Sequence, residues 1–300
     1  MDLSLDRIEA AVEEIDPVFL DTPQFVSAGL SEHFGREVVV KVETLNPIGS
    51  FKGRGTCTLG RRIERGRTWV CATAGNFGQG VAYAARANGD PARVFVGPSV
   101  PAGKVERIRA LGAHVEVSAD AEAEAREFAV AGSDRMHVVD GLDPAIAEGA
   151  GTVGLELEAA GPFDAVVVQV GDGALITGVA RWLKARAPET RVVGVCSSAA
   201  PAMVESFAAG RAVSAPKGET AAGPIATRDP VPESVARMLE LVDDVVAVDD
   251  AALREAVQVI ADAVGVLAEP AGAAGVAALA RHGERIGGGR VAVVITGAQQ

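Results

Sequence analysis

Short runs rich in valine alternate with helical patterns along almost the whole chain. This alternation restricts the available folds more than any other feature. Strand candidates are 38–43 (VVVKVE), 68–72 (TWVCA), 92–96 (ARVFV), 114–117 (HVEV), 165–170 (AVVVQV), 191–195 (RVVGV), 245–248 (VVAV) and 291–296 (VAVVIT). Between them lie helical stretches, such as that of Val105, Ile108 and Leu111, which stops at Gly112, and that of Leu253, Val257, Ile260 and Val264. Strands of this kind, each followed by a helix, predict parallel sheets flanked by helices, an α/β fold. A chain of 300 residues can bury a large core and suffices for one or two such domains.

Charge and cysteine usage narrow the function classes. The net charge is −12 and no basic run occurs, which argues against a nucleic-acid partner, since phosphate backbones require clustered Lys and Arg. Cys57, Cys71 and Cys196 are odd in number and widely spaced, so neither a disulfide framework nor a metal site is expected. The acidic, amphipathic start of the chain (Leu5, Ile8, Val12 and Ile15 on one face) lacks the features of a signal peptide. The most apolar long stretch is interrupted by Asp262 and Glu269, so no membrane span and no membrane partner are expected. These features predict a cytoplasmic protein. The Pro/Gly-rich segment 218–233 (GETAAGPIATRDPVPE) reads as a long surface loop.

Three glycine-rich turns carry the chemistry. In NPIGSFKGRG (46–55), Lys52 follows a Pro/Gly bend between a strand and a helix. It is either one of two solvated basic residues, with Arg54, or an amine held for reaction. TAGNFGQG (73–80) leads from a strand into a helix start, where free backbone N–H groups suit a carboxylate or phenolate. VGDGALITG (170–178) does the same after another apolar strand, and its small residues and helix dipole suit a phosphate. It is neither a Walker loop nor a dinucleotide fingerprint. Asp172 within it would repel a phosphate unless it points away and braces the backbone. An amine, an anion turn and a phosphate turn together match what pyridoxal phosphate requires.

With these segments in view, the chain resembles the fold-type II pyridoxal-phosphate enzymes, and among them the threonine and serine dehydratases most. The resemblance covers nearly the full length in the family's order, through 22–31 (TPQFVSAGLS), 41–55, 73–86, 143–157 (DPAIAEGAGTVGLEL), 170–178, 269–275 (EPAGAAG) and 295–300 (ITGAQQ). It implies that Lys52 is the Schiff-base residue, with Phe51, Asn76, Gly171, Asp172, Gly173, Ala174, Leu175, Glu269 and Thr296 around the cofactor, Asn76 beside its phenolic oxygen and Thr296 opposite its ring nitrogen. Ser50, Thr73, Ala74, Gly75, Asn76 and Phe77 are implied around a small amino-acid substrate. A smaller α/β domain of residues 46–145, set within a larger one of 1–45 plus 146–300, a cleft between the two, and a homodimer are also implied.

The reaction implied is loss of a β-hydroxyl from threonine or serine, giving a 2-oxo acid and ammonia. Thr296, a neutral hydroxyl, cannot keep the ring nitrogen protonated as a carboxylate would, which favours rapid departure of a β-substituent over transamination. Racemising relatives carry serine where this chain has Ala74, which has no proton to give. With no extension after Gln300, an amino-acid-sensing domain is not expected. Phe77 stands where histidine is common and makes the pocket more apolar, and segment 220–226 (TAAGPIA) lacks an acidic residue associated with a cation site. A β- or γ-replacement synthase, a specialised-pathway lyase and a non-catalytic ligand-binding relative are the alternatives.

Overall fold

The computed structural model describes residues 2–73, 75–132, 135–216 and 218–300. Among these residues the strands, in chain order, are β1 (Gln24–Val26), β2 (Glu37–Val42), β3 (Thr68–Thr73), β4 (Ala92–Val96), β5 (His114–Val117), β6 (Met136–Val138), β7 (Ala165–Gln169), β8 (Arg191–Ser197), β9 (Asp244–Val248) and β10 (Arg290–Ile295). They form two sheets, one of order β1-β2-β10-β7-β8-β9 and one of order β5-β4-β3-β6. Only β1, an edge strand, pairs antiparallel, and every other pairing is parallel. The smaller sheet draws all its strands from 68–138, whereas the larger takes strands from both sides of that segment.

Each expected strand is present, and β1 and β6 are additional. The central strands are apolar on both faces because both are covered by helices. Val167 of β7 and Val193 and Val195 of β8 join one core cluster, with Leu253, Ile260 and Leu279. Their neighbours Val166, Val168 and Val192 join another, with Val153, Ile176 and Val179. Successive side chains point to opposite faces, so an unbroken valine run feeds both cores.

Three helices set the spacing between the lysine turn and the 170–178 turn: Lys52–Arg62, Pro144–Ala160 and Ala174–Arg186. The middle one touches both others backbone to backbone. A Cβ on Gly149 would lie 2.5 Å from Thr58 Oγ1 and 2.7 Å from the Arg54 carbonyl oxygen, and one on Gly178 would overlap the Ala147 carbonyl oxygen. Glycine at these contacts lets the helices approach closely, so the start of the Lys52 helix and the start of the Ala174 helix are held at a fixed separation.

A buried charge cluster locks the first of these helices. Arg54 is fully buried and every guanidinium N–H has an acceptor. Its Nε and Nη2 donate to Glu43 at 2.8 Å each, and its Nη1 and Nη2 donate to Glu156 at 2.6 and 2.9 Å, with Thr152 Oγ1 at 2.9 Å. Lys41 donates to Glu156 and to the Thr22 carbonyl oxygen. Burial pushes the Glu156 carboxyl up, but Arg54 and Lys41 outweigh it and hold the group below the ordinary carboxylate range. For Lys41 burial wins, and its pKa lies below the ordinary lysine value despite Glu43 and Glu156. Two cations thus meet two carboxylates, and no charge is left over.

The cysteines are all free and buried, Cys57 on the Lys52 helix, Cys71 on β3 and Cys196 on β8. Among the described residues no helix is long and apolar enough to cross a membrane.

Candidate active site

β3, β7 and β10 end at a cleft of about 860 Å³, which Thr73, Gln169 and Thr296 line from those three ends. This is where ligands lie in open α/β sheets, because the loops leaving the strands converge there. Three helices begin at it, and their N-cap residues, Phe51, Gly75 and Gly173, make no side-chain capping bond. Thr73 Oγ1 takes the Gly78 N–H at 3.3 Å and Asp172 Oδ1 takes the Ala174 N–H, and the other first-turn N–H groups are suited to receive anions.

Most of the residues singled out in the sequence meet here. Phe51, Lys52, Thr73, Gly75, Asn76, Phe77, Gly171, Asp172, Gly173, Leu175, Glu269 and Thr296 line the cleft. Ser50 and Ala174 do not. Ser50 is fully buried, bridged to Gly297, and its Oγ has no partner. Ala174 is buried and donates its N–H to Asp172 Oδ1 at 3.1 Å. Ala74 lies outside the described residues.

Lys52 Nζ sits between aromatic rings, 4.9 Å from the Phe51 centroid and 5.4 Å from that of Phe77. Its anionic neighbour is Asp172 Oδ2, at 3.6 Å. Asp172 therefore departs from the expectation that it turns away. One oxygen does brace the backbone, but the other faces the lysine, because a helix start and an ammonium both attract a carboxylate. Asn76 Nδ2 donates to Glu269 Oε1 at 2.7 Å, and Asn76 Oδ1 is buried without a partner.

Several lining residues carry no signal in the sequence. Segment 218–233 is not merely a surface loop, since its helical turn Gly223–Ile225 lines the cleft, as do Thr227 and Val231. A Cβ on Gly171 would overlap the Pro224 carbonyl oxygen, so this segment packs directly on the glycine turn. Asp140, Gly141 and Leu142, after β6, also face the cleft. Their contribution depends on a strand too short to leave a pattern. Among the described residues no cluster of three or more His, Cys, Asp or Glu side chains is placed to hold a metal ion.

The residues present fit pyridoxal phosphate. The cleft offers one amine for its aldehyde, a glycine turn at a helix start for its phosphate, an amide and a hydroxyl for its ring, and room for an amino acid beside it. Comparison with known proteins agrees. The family described as "Pyridoxal-phosphate dependent enzyme" matches residues 15–297. An L-threonine ammonia-lyase from Thermotoga maritima is 36% identical over 98% of this chain and 75% of its own length. The crystal structure of a T.th. threonine deaminase superposes with a TM-score of 0.92 at 32% identity, covering 99% of this chain and 98% of that one. Maize serine racemase has a TM-score of 0.91 at 28% identity, covering 100% and 94%. This chain belongs to the family of pyridoxal-phosphate-dependent enzymes, and its fold is that of the fold-type II branch.

Proposed function

We propose that the protein is an ammonia-lyase that removes the β-hydroxyl and the amine from threonine or serine, releasing a 2-oxo acid and ammonia. The observation that carries this reading is the meeting of Lys52, the 171–173 turn, Asn76 and Thr296 in one cleft. The names of the similar proteins, a threonine ammonia-lyase and a threonine deaminase, support the same substrate class.

Pyridoxal phosphate, when bound, supplies a ring that accepts the electron pair left at the substrate's Cα. The protein's own part is positional and acid–base. Lys52 is the residue that would hold the cofactor's aldehyde, and its amine would take the proton from the substrate's Cα. The helix start at Asn76 would receive the substrate carboxylate through the N–H groups of Asn76 and Phe77. The helix start at Gly173 would hold the phosphate. Phe51 and Phe77 border the Lys52 amine with apolar rings. Thr296, which lines the cleft, would offer the ring nitrogen a hydroxyl too weak an acid–base partner to keep it charged, which would favour prompt loss of the β-substituent.

We place the smaller domain at 46–145 and the larger at 1–45 plus 146–300, with the cleft between them, and expect a soluble cytoplasmic homodimer. Purified protein loaded with pyridoxal phosphate should form 2-oxo acid from threonine or serine without any added nucleophile. The Lys52→Ala variant should lose the visible absorption band, and its activity should fall by at least about 10²-fold. Product only when a nucleophile is supplied would identify a replacement synthase instead, and interconversion of L- and D-serine would identify a racemase.

A further inference from the structure

At the cleft wall three buried polar side chains meet, Asn76 and Glu269 lining the cleft and Lys104 behind them, at 9%, 8% and 7% exposure. Lys104 does not line the cleft and takes no part in the proposed elimination. It comes from helix Ala102–Ala110, which follows a strand of the smaller sheet, and reaches a residue 165 positions away. Its Nζ donates to Glu269 Oε2 at 2.6 Å, and the other Glu269 oxygen accepts from Asn76 Nδ2 at 2.7 Å.

Packing alone does not explain the trio. Two charges leave water, and apolar residues of equal volume would fill the space at least as favourably. The backbone is shaped to admit the group: a Cβ on Gly297 would lie 2.5 Å from Glu269 Oε1 and 3.1 Å from Asn76 Nδ2. The Lys104 stem also lies against the Asn76 turn, where a Cβ on Gly75 would come within 2.6 Å of Lys104 Cδ.

The chemistry of the contact fixes an orientation. An ionised carboxylate only accepts, so it forces Asn76 to turn its nitrogen towards Glu269, and that nitrogen keeps a second N–H. We propose that Lys104 is a positioning residue, holding the Glu269 carboxyl group in place so that Asn76 offers this N–H to the oxygen on the bound cofactor's ring. The inference rests on the reading of the cleft as a pyridoxal-phosphate site. Without Lys104, Glu269 Oε2 loses its partner, the carboxyl group is free to rotate, and nothing holds the Asn76 amide with its nitrogen towards it.

The test is a titration of the protein with pyridoxal phosphate, followed by visible absorbance across a pH series. Variants are Lys104→Met, Lys104→Arg and the pair Lys104→Met with Glu269→Gln, which leaves no unpaired buried charge should the single variant not fold. We expect Lys104→Met and the pair to bind about tenfold more weakly, the scale on which loss of an orienting partner acts. The pH midpoint of the bound cofactor's band should move in both, while Lys104→Arg stays closer to wild type. A folded pair variant with unchanged affinity and unchanged midpoint sinks the positioning role and leaves the reading of the cleft intact. A wild-type protein that takes up no pyridoxal phosphate overturns the reading of the cleft, and the role of Lys104 with it.

Discussion

Two residues beyond Lys52, Arg54 sits in the same glycine-rich motif with a different task. Its guanidinium joins the second strand to the 144–160 helix through Glu43 and Glu156. Arg54→Met would leave two buried carboxylates with Lys41 as their remaining cation, and breaking a buried pair in this way costs about 3–5 kcal/mol. Chemical denaturation should report a loss of that size, and Arg54→Lys should rescue little of it, because an ammonium cannot reproduce the planar fork. Glu156 gives the cluster a pH signature. Its folded pKa lies below its ordinary value of 4.5, so its stabilisation is full above that value and is lost as pH falls through the lower folded one. The melting-temperature gap between wild type and Glu156→Gln should therefore narrow on acidification, and a gap that stayed constant would contradict the assignment. The sequence gives no sign of this. Arg54 reads there as a second basic residue in a bend, and its partners lie 11 and 102 positions away.

At the scale of elements, the close approach of the Pro144–Ala160 and Ala174–Arg186 helices sets where the glycine turn stands relative to Lys52. Gly178→Ala would push a methyl into the Ala147 carbonyl, and overpacking of this kind costs about 1–3 kcal/mol. Because the helix it displaces begins at the 171–173 turn, the variant should also bind pyridoxal phosphate more weakly in a fluorescence titration. Destabilisation with unchanged affinity would show that the turn is held by other contacts. Elements are legible in proportion to their burial. The valine runs of β7 and β8 declare themselves because both faces are covered. The three-residue strands QFV and MHV have too few positions to show alternation, and their burial patterns are mixed. The helical turn at Gly223–Ile225 reads as surface because Pro and Gly mark a turn without indicating what it packs on. The lysine and glycine turns are visible because each joins a clear strand to a clear helix. The Lys104–Glu269 pair is not, since it exists only once two distant segments meet.

The whole molecule places its reacting groups where two sheets and several helix starts face one another, so ligand uptake and global order are linked. The thiols provide a way to follow that link. Burial pushes Cys57 and Cys196 up to about 11 and Cys71 up to about 12, so almost no thiolate is present at neutral pH. Alkylation of the native protein should be slow and should require opening of the surrounding structure. The three sulfurs sit in the Lys52 helix, the smaller sheet and the larger sheet, and mass spectrometry can date each one's exposure separately. Added pyridoxal phosphate should delay labelling of Cys57 and Cys71 more than that of Cys196, and equal delay at all three would mean that the molecule opens only as a single unit. The protein thus carries three natural stopwatches, one in each part whose breathing one would wish to time.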